Sequence, residues 1–177
     1  MPISAKKKTK PLFYIALAVI GIAAGVLTQQ ATRYDFITSE GVKYQWSELK
    51  DDWVVINYFA PWCAPCLKEL PELNKFADNL PNHTHLFAIN YDPADQLQAQ
   101  AVKQKYNIQF QVIVAEQQTY LPMTPPPALP ATFIVGPRGQ VVKTIMGEVN
   151  AKMLTDALLK LQMTYSGEPV KKTTGDA

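Results

Sequence analysis

Asn57-Tyr58-Phe59-Ala60-Pro61-Trp62-Cys63-Ala64-Pro65-Cys66 decides how this 177-residue chain is to be read. The run Trp53 to Ala60 (WVVINYFA) that leads into it is β-branched and aromatic, with the character of a central strand. After Cys66 the period changes: Leu70, Leu73, Phe76, Ala77 and Leu80 recur at three- and four-residue spacings, which predicts one buried face of a helix. Pro71 falls inside that helix and is expected to kink it, since proline removes a backbone donor and crowds the preceding turn. A strand running into Cys63 and a helix starting there point the first thiol at unpaired helix N-terminal amides. Those amides and the helix dipole stabilise a thiolate, lowering a cysteine pKa from ~8.5 into a range of roughly 3.5 to 7.5 in such motifs. Cys63 is therefore the expected nucleophile, and Cys66, one turn further in, is placed to attack a mixed disulfide at Cys63.

These are the only two cysteines of the chain. Two residues between them cannot close a long loop, so a structural disulfide framework is excluded and the pair is redox-active, metal-binding or incidental. The length suits one domain plus appendages. Net charge is +2, but Lys6, Lys7, Lys8 and Lys10 lie ahead of the first acidic residue, and the remainder carries thirteen basic against fifteen acidic residues. Such a body gives no reason to expect a nucleic-acid partner.

The lysines are better explained by the apolar segment next to them. Residues 1–10 form a basic tail, and no charge occurs between Lys10 and Arg33. The stretch Pro11 to Leu27 is almost wholly apolar and, as a helix, rises about 25 Å, so Thr28 to Ala31 would complete a bilayer span. Residues 11–31 are thus expected to be a single transmembrane anchor, and the positive-inside rule puts the rest of the chain outside a bacterial cytoplasmic membrane. A signal peptide is the competing reading, although no convincing small-x-small site follows Leu27. Both readings export the domain into a compartment where disulfides persist.

Residues 32–41 are expected to be a linker and 42–164 the catalytic domain. Val42 to Trp46 predicts an edge strand, Thr84 to Tyr91 a second core strand, and Ala94 to Tyr106 a surface helix resting on Leu97, Ala101 and Val102. Gln111 to Ala115 predicts a short strand. Glu116 to Pro130 holds five of the fourteen prolines and is expected to be irregular. Ala131 to Gly136 and Val141 to Met146 predict a hairpin around Pro137-Arg138-Gly139-Gln140. Asn150 is the expected N-cap of a last helix with Met153, Leu154, Ala157, Leu158 and Leu161 inward. Residues 165–177 are expected to be a disordered tail. This order predicts an α/β fold, a mixed central sheet with helices on both faces.

The decapeptide from Asn57 to Cys66, with Pro71 five residues after the second cysteine, resembles the thioredoxin superfamily active site. Leu67-Lys68-Glu69-Leu70-Pro71-Glu72-Leu73, the inserted helix–strand unit and Ala131-Thr132-Phe133-Ile134-Val135 resemble its TlpA/ResA-like branch of membrane-anchored thiol reductases. The likeness covers roughly Val42 to Leu161. It implies a thioredoxin-like fold in which Pro130 is a cis-proline facing the CxxC pair and Leu129 offers backbone groups to an extended substrate. Trp62 and Pro65, which flank Cys63 and Cys66, are the further substrate contacts. It also implies disulfide-bearing exported proteins as substrates, apocytochrome c and respiratory assembly factors among them, and a membrane electron donor. No cofactor or metal beyond the Cys63–Cys66 couple is implied, and a monomer is expected.

Two positions depart from the wider superfamily. Asn57 stands where thioredoxins place a buried aspartate, and Asn cannot exchange a proton at neutral pH. Glu69 matches an acidic position of the TlpA/ResA-like branch and would take the proton of Cys66 if burial raises its pKa. Its alternative is a solvated helix glutamate. The segment Pro122 to Pro130 is the second departure, because relatives more often have a helix there. Three other functions are weighed: a dithiol oxidase that uses the same residues, a copper-binding assembly protein with the thiolates as ligands, and a binding module without turnover, in which the cysteines would be dispensable. Against copper, the spacing is CxxC and no histidine follows His85. His83 and His85 form an H-x-H with no evident carboxylate partner and are expected to be exposed loop-to-strand residues. Trp46 and Trp53 are expected to pack, and Glu148 to favour the last helix's dipole.

Overall fold

The computed structural model describes residues 13–22 and 34–166. They belong to two compact units divided after Tyr34. In the first, residues 13–22 are helical (α1) with exposed side chains. No helix among the described residues is long and apolar enough to cross a membrane. The basic tail 1–10, most of the expected anchor 11–31 and the tail beyond Ser166 lie outside the described residues.

The second unit runs through β1 (Phe36–Ile37), β2 (Lys43–Tyr44), β3 (Trp53–Phe59), α2 (Ala64–Ala77), β4 (Thr84–Asn90), α3 (Gln96–Lys105), β5 (Gln111–Ile113), β6 (Ala131–Val135), β7 (Val141–Met146) and α4 (Ala151–Ser166). Five strands make a sheet in the order β5-β4-β3-β6-β7, and β1 and β2 form a separate hairpin. β3, β4 and β5 are parallel, whereas β6 runs antiparallel to β3, and β7 antiparallel to β6. β3, at the centre, is buried throughout, as its run of large apolar residues requires. The β6–β7 turn closes on Gly139, whose φ of 77° is a conformation that glycine adopts without the penalty of a Cβ.

Alternation along β3 separates two cores. Trp53, Val55 and Phe59 join α2, α3 and α4 through Cys66, Leu70, Leu73, Phe76, Ala99, Leu154 and Leu158. Burying side chains such as Leu73 or Phe76 contributes ~1.5–3 kcal/mol each. Val54, Ile56 and Tyr58 instead meet Phe36, Leu49, Phe87 and Phe133, with Tyr44, Trp46, Leu121 and Met123 packed around them. The expectation of helices on both faces is therefore corrected: α2, α3 and α4 share one core, and the β1–β2 hairpin and the proline-rich loop cover the other. The reason is topological. β3-α2-β4 and β4-α3-β5 step in the same direction across the sheet, so right-handed crossovers bring both helices to one face.

Further expectations change. Within the expected linker 32–41, residues 35–41 contain β1, whose Phe36 is fully buried and stacks on Tyr44, so they are part of the fold rather than a plain linker. On α3 the inward residue is Ala99, with Val102 half-buried, while Leu97 is 77% exposed and Ala101 is exposed. On α4, Met153 faces outward, and Asn150 Oδ1 accepts from the Met153 amide as an N-cap should. α4 continues to Ser166, and Tyr165 packs edge-on against the buried Trp53. α2 runs unbroken through Pro71, which sits on its exposed side.

Candidate active site

β3 ends at Phe59, and Ala60-Pro61-Trp62 carries the chain over the sheet edge into α2. Cys63 is the N-cap of α2, and its Sγ accepts the Cys66 backbone N–H at 3.3 Å. Pro65 sits in the first turn, where a missing N–H leaves no helical bond unmade. The two cysteines are disulfide-bonded, with Cα atoms 5.2 Å apart. Cys63 is 5% exposed and Cys66 is completely buried, so an incoming thiol or disulfide reaches Cys63 first.

Glu69 lies one helical turn beyond Cys66 on the same face, and its exposure is only 2%. Its Oε1 accepts from Asn57 Nδ2 at 2.7 Å and its Oε2 from the Val149 amide at 2.8 Å. Asn57 Nδ2 also donates to Thr132 Oγ1 at 3.1 Å, directly across the β3–β6 ladder. Burial pushes the Glu69 pKa up to about 7, against the lowering effect of those two hydrogen bonds and with help from nearby Glu148. The solvated alternative for Glu69 is thereby excluded. Glu148 itself pairs with Lys68 at 3.0 Å, a partner that the dipole explanation does not include.

The Leu129–Pro130 bond is cis. Ala131 pairs with Tyr58, so Pro130 comes level with Phe59 at the strand end that leads to Cys63. Pro130 is buried, and Leu129 is half-buried against the core that contains both cysteines. Pro65 is exposed. Trp62 is 65% exposed; its Nε1 donates to Asp92 Oδ2 at 2.7 Å and its ring meets Tyr91 edge-on. The structure thus brings Trp62, Cys63, Pro65, Cys66, Leu129 and Pro130 to one end of the sheet, with Glu69 beneath them.

Sequence reasoning missed the Val149 amide as a partner of this carboxylate and Thr132 as a partner of Asn57, since each lies more than seventy residues along the chain from the group it meets. It also missed Asp52, whose Oδ1 meets His83 Nδ1 at 3.0 Å and whose Oδ2 meets His85 Nε2 at 2.9 Å. The H-x-H pair therefore has a carboxylate partner, supplied by the residue that precedes β3.

The sequence pattern of the AhpC/TSA family matches residues 27–144. The thiol–disulfide oxidoreductase ResA of Bacillus subtilis (strain 168) is 27% identical over 119 residues, covering 67% of this chain and 66% of that protein. The ResA of Bacillus thuringiensis (strain Al Hakam) is 28% identical over 134 residues, covering 75% and 77%. Among solved structures, StoA from Bacillus subtilis superposes with a TM-score of 0.57 at 22% identity, covering 70% of this chain and 93% of that one. With the CxxC pair capping α2 beside a cis-proline, these likenesses show that the chain belongs to the AhpC/TSA family and is a thioredoxin-like thiol–disulfide oxidoreductase.

Proposed function

We propose that the chain reduces disulfides in exported proteins. Cys63, as thiolate, attacks a substrate sulfur, forming a Cys63–substrate mixed disulfide and releasing one substrate thiolate. Cys66 loses its proton to Glu69 and attacks Cys63 Sγ, releasing the second substrate thiolate and leaving the Cys63–Cys66 disulfide. Two electrons pass from dithiol to substrate, and an external thiol donor returns them.

The observation that carries this reading is Glu69: buried one turn past Cys66, held by Asn57 and the Val149 amide, with its pKa raised to about 7. A carboxylate with that pKa can accept a proton near neutrality, which Asn57 cannot. Its charge also disfavours thiolates in the same core. Stabilised thiolates make a CxxC pair oxidising, so the carboxylate favours the reductant direction over the oxidase.

Trp62, Pro65, Leu129 and Pro130 form the substrate-facing rim in this reading. No cofactor is needed beyond the cysteine couple. The four lysines ahead of an apolar stretch support a domain, residues 42–164, that works outside a bacterial cytoplasmic membrane as a tethered monomer. A membrane thiol donor supplies its electrons, and apocytochrome c or respiratory assembly factors are its candidate substrates.

The test is the reduction potential of the Cys63–Cys66 couple. A value near ~−270 mV is expected for a reductant, and one near ~−120 mV would overturn the direction in favour of an oxidase.

A further inference from the structure

The hydrogen bonds around Glu69 leave two buried polar groups without a match. Asn57 is completely buried, and its Oδ1 meets no donor among the described residues. Thr132 is equally buried; its Oγ1 accepts from Asn57 Nδ2 at 3.1 Å, and its hydroxyl hydrogen meets no acceptor among the described residues. Asn57 and Thr132 stand directly opposite each other in the β3–β6 ladder, so their side chains share the helix-covered face. An unmatched acceptor and an unmatched donor, both buried, each cost stability. Turning the Asn57 amide over would pair them. That rotation about χ2 exchanges an oxygen for a nitrogen of nearly the same size, so a close-packed core permits it without a cavity.

What holds the amide as it stands is the charge on Glu69. Nδ2 donates to Oε1 at 2.7 Å, and a hydrogen bond to an ionised group is roughly twice as strong as a neutral one. Protonation removes that preference. Glu69 Oε2 accepts at 2.8 Å from the Val149 amide, a main-chain donor that cannot turn, so the proton goes to Oε1 and points at Asn57. With Nδ2 still in place, donor faces donor and Asn57 keeps one bond, to Thr132. With the amide turned, Oδ1 accepts both the Glu69 O–H and the Thr132 O–H, and the amide nitrogen becomes the unmatched group. Two bonds outweigh one. In the ionised state the order reverses, because Oδ1 would oppose a carboxylate.

We infer that Asn57 is a two-state positioning residue for Glu69: its side-chain amide donates to the ionised carboxylate, turns over when the carboxyl group takes up a proton, and then accepts from it, while the Thr132 hydroxyl switches from acceptor to donor. This role rests on Glu69 being the base for Cys66. It adds how a buried core holds the proton: the partner reverses with the charge, so Oε1 is matched in both states. The other groups around Glu69 do not reverse. α2 itself presents Cys66, the loop before α4 presents Glu148, which pairs with Lys68, and α4 adds the apolar Leu154 and Leu158 to this core.

The experiment is an NMR titration of the full chain in detergent micelles, labelled with 13C and 15N and kept oxidised so that the cysteines do not titrate. Glu69 Cδ reports the proton, and the Asn57 Nδ2 protons report the amide. Above the Glu69 midpoint of about 7, the Nδ2 protons are expected to cross-relax with the Thr132 side chain; below it that signal is lost, and both residues change at one pH. Glu69→Gln gives a second measurement. Its side-chain oxygen takes the Val149 N–H, so its nitrogen donates towards Asn57 as a protonated carboxyl group would. Asn57 in this variant is expected to show the acid pattern at every pH of the titration. An Asn57 amide that keeps its alkaline contacts while Glu69 Cδ titrates overturns the two-state role and leaves the base in place. A Glu69 Cδ that does not titrate instead removes the base from the proposed function. Glu69→Gln then decides on Asn57 by itself, and alkaline contacts in that variant overturn the two-state role.

Discussion

β3 meets a carboxylate at each end, and the two are opposites. Near its carboxyl end Asn57 donates to Glu69, which is buried in a helix-covered core and has its pKa raised to about 7. At its amino end Asp52 bonds His85 and His83 at the protein surface, and the His85 hydrogen bond leads in holding its pKa below the ordinary carboxylate value. Both have two polar side- or main-chain partners at hydrogen-bond distance. What differs is solvent: with water excluded, desolvation outweighs two donors, whereas at the surface the partners prevail. Only the buried one can exchange a proton near neutrality beside a thiol.

The contrast can be broken at several points. Removing the chemistry altogether has the largest effect: Cys63→Ser is expected to abolish reduction of a protein disulfide, and unchanged turnover would refute the mechanism. Cys66→Ser keeps the first attack and accumulates a mixed disulfide, visible as a mass adduct on Cys63.

Glu69→Gln is expected to slow resolution of that mixed disulfide about a hundred-fold at pH 7 while leaving the first attack unchanged, as rapid-mixing kinetics would separate. It also alters stability. Between the unfolded pKa of 4.5 and the folded value of about 7, the native state holds a proton that the unfolded chain has lost, so wild-type stability falls as pH rises through that window. The total is on the order of 3 kcal/mol. Denaturation of Glu69→Gln across pH 4 to 8 should lack that fall, and a parallel decline in both proteins would contradict the burial effect.

Asn57→Ala strips a donor from Glu69, so the pH profile of Cys66 reactivity moves alkaline and stability drops by about 1–3 kcal/mol. An acid shift in that profile would show that Asn57 does not hold the ionised carboxylate.

Asp52→Asn is the smallest change. A depressed carboxylate adds stability that is present above about pH 4 and is lost as pH falls through its folded value. With exposed partners the loss at neutral pH is expected below ~1 kcal/mol, and kcat/KM should be unaltered. An effect on turnover would mean that the two ends of β3 are coupled.

The elements that position the cysteines were legible because their signals are local. Strand character up to Phe59, the three- and four-residue spacing from Leu70 to Phe76, the Gly139 turn and the Asn150 cap all lie within a few residues of what they specify. β1 was not legible. A two-residue strand has no periodicity, and Phe36 is buried through contacts with Tyr44 and Phe87 that no local pattern announces. α3 misled for a related reason: Leu97 suggested an inner face, yet the crossover geometry turns Ala99 inward where the helix lies close to the sheet.

By itself the sequence determined the pair of thiols, the strand that leads to the first and the helix that it caps, because caps, periodicity and CxxC spacing are properties of short segments. It also named Glu69 as a candidate base. Only the tertiary structure decided that Glu69 is buried, that Asn57 and the Val149 amide hold it, and that all three packed helices leave one face to a proline-rich loop. Burial and cross-strand partners depend on which distant segments meet, and desolvation has no local signature in the chain.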